Sequence, residues 1–124
     1  MAKQPVRHPQ DSLSPHWFVG VDIGGTTVDT LLVDSAFTAH GSFTFPTILT
    51  SPMDTLEGIC RAIQETLHAA QLSPAAVAAI GLGVPGQVDP VQGLVNLAVN
   101  LHWDHFPAGA LLTSRFGVPC FLEN

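Results

Sequence analysis

Residues 17–34 read WFVGVDIGGTTVDTLLVD, two apolar runs broken by Gly24-Gly25, and no other stretch limits the possible folds as much. The first run, Trp17 to Ile23, has the length of a strand. A strand this apolar is normally buried on both faces. The break after it is too short for a crossover, so 26–34 is predicted to return antiparallel. Asp22 stands inside the apolar run, where a carboxylate is costly unless paired or bound to a cation. No basic residue lies near it in sequence. Gly24 and Gly25 permit a tight turn and let a ligand approach backbone N–H groups, and Thr26 and Thr27 add hydroxyls. These are the parts of a phosphate cradle, with amides and a hydroxyl facing anionic oxygens and Asp22 facing Mg2+. The same residues would equally make a plain glycine hairpin with Asp22 in water, and by themselves they do not choose.

Charge removes whole classes of partner. The 124 residues carry a net charge of -6, and only 11% of them are charged. Of the four basic residues, Lys3 and Arg7 precede Trp17, leaving Arg61 and Arg115 for the rest of the chain. A nucleic-acid interface needs a basic face to neutralise phosphates, and attraction to anionic lipid needs the same. Neither nucleic acid nor membrane is therefore expected as a partner. Any phosphate must be held by backbone N–H groups and a metal ion. The apolar share of 46% is too high for a disordered chain. No signal-peptide pattern and no run near the roughly 20 apolar residues of a membrane span occur, so the expected location is cytoplasmic.

Residues 1–16 hold three prolines and few apolar residues, and a disordered tail is expected there. A third strand is predicted over 39–48, with Pro46 marking an edge or a strand end. The clearest helix is 52–70. Ser51 is a natural N-cap, Pro52 suits the first helical position, and Asp54 completes the cap pattern. Met53, Leu56, Ile59, Cys60, Ile63 and Leu67 recur at three- and four-residue steps, the spacing of a core-facing stripe. A buried strand is expected over 77–84, lying parallel to a strand of the first group after the helical crossover. A loop, 85–93, then a short strand over 94–101, a helix over 107–116 stopped by Gly117, and a last strand over 118–123 complete the chain. The order is that of a mixed α/β layer fold.

Other patterns carry less chemistry. Gly81, Gly83 and Gly86 spell G-x-G-x-x-G, but a dinucleotide site needs a helix to open there, and Pro85, Pro90 and Gly93 prevent it. The cluster His102-Trp103-Asp104-His105 lacks a third metal ligand nearby, so a loop or strand-end role is expected. Cys60 and Cys120 lie far apart without a C-x-x-C pattern and read as two buried thiols. No nucleophile-elbow pattern supports triad hydrolysis.

FVGVDIGGTTVDTLLVD resembles the first phosphate motif of the actin-like, sugar-kinase and heat-shock-chaperone ATPase superfamily. IGLGVPGQVDPVQGLVNLAVNLHW resembles, more specifically, the ROK family of repressors and sugar kinases. There a G-x-P-G-x-V-D segment precedes G-x-V and an A-P-N-L-x-W-like stretch. FGVPCFLEN resembles the family's run into E-N-D. The resemblance covers about residues 17–124.

It implies a ribonuclease-H-like fold, an α/β mixed sheet with flanking helices, with 17–124 as part of the N-terminal lobe. It implies an ATP-dependent hexose kinase using ATP and Mg2+, with a homodimeric parent. By the same resemblance Asp22, Gly24, Gly25, Thr26 and Thr27 face the nucleotide phosphates, with Asp22 on the metal. Gly86, Asn100 and Asn124 match sugar-lining positions. Val99 stands where the family has proline, and Thr27 where many members have lysine. In E-N-D the acid is the general base, whereas this sequence ends at Asn124. The expectation is thus a fragment without sugar-kinase turnover of its own. The alternative is the sugar-sensing lobe of a ROK-type repressor, whose helix-turn-helix needs more residues than the 16 before Trp17. The G-V-P-G-Q-V-D segment speaks against a hydantoinase-like or activator ATPase.

Overall fold

The computed structural model describes residues 17–124, and the tail expected over 1–16 lies outside the described residues. Strands β1 (Trp17–Ile23), β2 (Thr27–Val33), β3 (Ala39–Pro46), β4 (Val77–Gly83) and β8 (Cys120–Glu123) form one sheet in the order β3-β2-β1-β4-β8. β1 pairs antiparallel with β2 and parallel with β4, as the short glycine turn and the helical crossover require. β4 in turn pairs parallel with β8. β3 is an edge strand and ends on Pro46, a residue that cannot donate to a further ladder. Helix α1 (Pro52–Ala69) crosses from β3 to β4, and helix α2 (Ala108–Phe116) leads into β8.

α1 starts where the cap residues place it. Ser51 is extended, and its hydroxyl accepts from the Asp54 N–H at 3.0 Å. Leu56, Ile59, Cys60, Ile63 and Leu67 are buried against the sheet, each burial stabilising by about 1.5–3 kcal/mol. Thr66 carries one hydroxyl into this interface. It bonds to Thr30 of β2 at 2.5 Å and donates to the Ala62 carbonyl, so neither buried hydroxyl is left unpaired. Met53, in the first turn of the helix, departs from the predicted stripe and is exposed. α2 stops at Gly117, which takes the left-handed backbone its φ of 71° requires and donates to the Thr113 carbonyl.

Both helices pack on one face of the sheet, over Val19, Val21, Ile23, Val28, Leu32, Ile80, Leu82 and Leu122. The expectation that β1 and β4 are buried on both faces is not met. Their other face carries Phe18, Gly20, Asp22, Gly81 and Gly83, and among the described residues nothing covers it. The run looked continuous because glycine interrupts an apolar stretch without adding polarity.

A second sheet was not expected. β5 (Gln87–Asp89), β6 (Leu94–Ala98) and β7 (Trp103–Phe106) form an antiparallel unit in the order β5-β6-β7. The loop predicted over 85–93 therefore contains a strand. The strand predicted over 94–101 ends at Ala98 and passes into a 3-10 turn, Val99–Leu101. Three- and four-residue strands give too short a pattern to read. Val95, Ala98, Leu101 and Trp103 join the main core. Trp103 stacks on Phe106 at 4.6 Å, and its indole N–H donates to the Pro52 carbonyl at 3.2 Å, tying this sheet to the start of α1.

Candidate functional site

The turn between β1 and β2 is closed from within and clamped from outside. The Gly24 N–H donates to the Thr27 carbonyl at 2.8 Å. From the segment after β3, the Thr47 N–H donates to the Thr26 carbonyl and the Thr47 hydroxyl to the Gly24 carbonyl, each at 2.8 Å. Of the amides expected to face an anion, Gly24's is thus spent on the turn. Those of Gly25 and Thr26 have no acceptor among the described residues. Two adjacent free N–H groups at an exposed turn are a small anion-binding concavity.

Asp22 lies on the uncovered face, one residue before the end of β1. One carboxylate oxygen sits 3.4 Å from where a Cβ on Gly83 would stand, so the carboxylate lies alongside Gly83 on the neighbouring strand. Asp22 faces Asp29 across the β1–β2 ladder. Like charges directly opposite are unfavourable unless a cation or water separates them. Asp29 also accepts the Thr44 hydroxyl at 2.7 Å. The two carboxylates suit Mg2+, which takes one or two protein carboxylates and completes its shell with water and phosphate. Among the described residues no group of three or more His, Cys, Asp or Glu could hold a metal unaided.

Asn100, in the 3-10 turn after β6, packs on the same turn. Its Cβ lies 3.6 Å from the position a Gly25 Cβ would take. Gly86 and Asn124 lie apart from this group, at the ends of β4 and β8. A Cβ on Gly86 would stand 2.1 Å from the Leu97 carbonyl oxygen, so glycine there is first a packing requirement. The Val84 N–H bonds to the Glu123 carbonyl at 2.8 Å, and Asn124 borders a shallow groove with Gln87, Val88 and Pro90. A second groove, about 660 Å³, runs over the uncovered face past Asp22, Asp29, Gly81, Gly83, Phe121 and Glu123. The candidate residues therefore fall in two groups, one at the carboxyl end of β1 and one at those of β4 and β8, the edge where open α/β sheets bind ligands. Thr47 and Asp29 carried no signal in the sequence, and Gly83 appeared only as part of a G-x-G-x-x-G pattern set aside for lack of a following helix. A threonine after a proline, an acid in an amphipathic strand and a strand glycine are all ordinary on their own.

The remaining patterns take structural roles. Asp104 and His105 bond to each other at 2.6 Å at the surface of β7. Cys60 is buried as expected and Cys120 only half-buried, and burial pushes both thiols up, Cys120 to about 12. No helix among the described residues is long and apolar enough to cross a membrane.

The model of the ROK family matches residues 18–124. A glucokinase of Halalkalibacterium halodurans is 29% identical over 119 residues, covering 90% of this chain and 34% of that protein. A xylose repressor of Caldicellulosiruptor bescii is 32% identical over 62 residues, covering 50% of this chain and 16% of the repressor. Among solved structures, a ROK family glucokinase from Streptomyces griseus in complex with glucose and AMPPNP superposes with a TM-score of 0.75 at 30% identity. The match takes in 87% of this chain and 33% of that one. The chain thus spans about a third of the length of the glucokinases it matches. The mixed sheet with its two helices is the actin-like ATPase fold of the ROK sugar kinases.

Proposed function

The chain belongs to the ROK family, and from that premise we propose that residues 17–124 are the N-terminal lobe of an ATP-dependent hexose kinase, supplying its phosphate turn and part of its sugar-facing wall. One observation carries the reading. Asn100 packs on the turn that holds the free amides of Gly25 and Thr26, and Asp22 stands three residues before Gly25 at the carboxyl end of β1. The two amides and the Thr26 hydroxyl bind anionic oxygens of the nucleotide, and Thr27 lies beside them at the start of β2. Asp22, with Asp29 opposite, holds Mg2+, which when bound neutralises charge on the phosphate oxygens. Asn100 touches the turn and so reaches toward the junction of phosphate and acceptor sugar. Gly86 and Asn124 border the acceptor side. Transfer needs positioning from both walls of a cleft, so the full reaction is assigned to the family's complete fold.

The rival reading, a sugar-sensing ROK repressor lobe, draws on the xylose repressor. That similarity covers half of this chain, against nine-tenths for the H. halodurans glucokinase. Calorimetric titration of the 124-residue chain with ATP, with and without Mg2+, separates the two. Mg2+-dependent ATP binding weakened about tenfold or more in Asp22→Asn is expected, the loss of one charge-assisted partner. Binding of hexose alone, with no response to nucleotide, would favour the sensing lobe. ATP binding indifferent to both Mg2+ and Asp22 would remove the proposed site.

A further inference from the structure

We propose that Thr47 is a positioning residue for the phosphate turn, aiming the Gly25 amide at the anion without touching it. The inference rests on the reading of that turn as the anion site. The Gly24 carbonyl and the Gly25 N–H belong to one planar trans peptide and point in opposite directions. When the Thr47 hydroxyl donates to the Gly24 oxygen at 2.8 Å, it fixes that plane and turns the Gly25 N–H away from Thr47, toward the unfilled side of the turn. A hydrogen bond on the carbonyl also polarises the amide and makes its N–H the better donor. The Thr47 N–H does the same for the next peptide but one, through the Thr26 carbonyl. Glycines at 24 and 25 would otherwise leave this turn with more backbone freedom than any other sequence. The clamp is what removes it.

Thr47 is itself held from the far side. Its neighbour Ile48 packs on Gly58, where a Cβ would stand 3.0 Å from the Ile48 side chain. The Ile48 carbonyl accepts the buried Thr55 hydroxyl at 2.5 Å. The first turns of α1 therefore anchor the segment that anchors the glycine turn. The same helix start receives the Trp103 indole from the second sheet, whose turn between β6 and β7 carries Asn100.

The test is a titration of the 15N-labelled chain with magnesium tripolyphosphate, followed through the amide resonances of Gly25 and Thr26, beside a thermal melt. In the unsubstituted chain both resonances should move and saturate. Thr47→Val, which keeps shape and loses the hydroxyl, should weaken the affinity roughly tenfold, the usual weight of one lost hydrogen bond. It should also displace the Gly25 resonance before any ligand is added. Thr47→Ser should bind within about twofold of the unsubstituted chain, because the donor is restored. Should Thr47→Val fail to fold, Thr47→Ala takes its place. Unchanged affinity in the valine or alanine variant overturns the proposal, as does a serine variant no better than valine. If the unsubstituted chain moves neither resonance, the phosphate reading of the turn fails and the role of Thr47 falls with it. If it binds and the valine variant binds equally, only the role of Thr47 is lost.

Discussion

The two faces of the large sheet are built from the same strands and share nothing else. On one, Val19, Val21, Ile23, Ile80 and Leu82 meet α1 and α2 and are almost completely buried. On the other, the alternate residues are Phe18, Gly20, Asp22, Gly81 and Gly83, with Leu31 and Phe121 beside them in partial or full exposure. The covered face is made of large branched side chains, which stabilise by removing area from water. The uncovered face sets glycines and carboxylates, which leave space and charge, among a few exposed apolar side chains. β1 thus does two jobs at a period of two. Its odd-numbered residues hold the fold, and its even-numbered residues open onto the candidate site.

Truncating one residue from each face should separate the two most widely. Ile80→Ala should cost about 2–5 kcal/mol, the range for a large-to-small change in a packed core. Leu31→Ala on the other face should stay within about 1 kcal/mol. Denaturant unfolding of both variants checks this, and equal losses would abolish the distinction. Next come the glycines. Gly86→Ala forces a Cβ to within 2.1 Å of the Leu97 oxygen, and the strand must shift at a cost of roughly 1–3 kcal/mol. Gly81→Ala meets nothing within 4 Å and should raise stability by about 0.5–1 kcal/mol, as alanine replaces glycine in a strand. The signs should be opposite in the same melt.

A smaller effect concerns self-association. Phe121 is 62% exposed on the edge strand β8, and Leu31 is exposed on β2 in the same row of the uncovered face, and exposed apolar faces with open edges favour association. Sedimentation velocity should find concentration-dependent association that falls in the double variant Leu31→Ser, Phe121→Ser. The smallest expected effect is at the exposed turn after β2. Asp34 accepts from His40 at 2.7 Å and from the Ala36 and Thr38 N–H groups. The His40 bond first, then the Thr38 amide, holds its carboxyl below the usual value. A depressed carboxyl stabilises the fold above its unfolded pKa, and that part is lost as pH falls through the folded value. Melting temperatures from pH 7 to pH 3 should therefore drop slightly more for the unsubstituted chain than for Asp34→Asn.

Much of the fold was legible because each signal was local. The cap at Ser51, the helix stop at Gly117, the edge position of Pro46 and the antiparallel return at Gly24-Gly25 each depend on a few adjacent residues, whose backbone preferences the sequence states directly. The family resemblance of residues 17–124 was equally plain, since its motifs are contiguous. What stayed hidden depends on neighbours distant in sequence. Three short strands became a sheet only by pairing with one another, and β1 proved half open because no segment among the described residues lies over Gly20 and Gly81. Gly86 reads as one glycine of a motif, yet its necessity comes from Leu97 and Ala98 eleven and twelve positions later. Thr47 reads as nothing at all until β3 brings it beside Gly24. The sequence determined which residues could form the phosphate turn, because glycine, hydroxyl and carboxylate chemistry is intrinsic to each residue. Only the tertiary structure decided which amides remain free and what fixes their direction, because a hydrogen-bond donor's availability is settled by what folds against it.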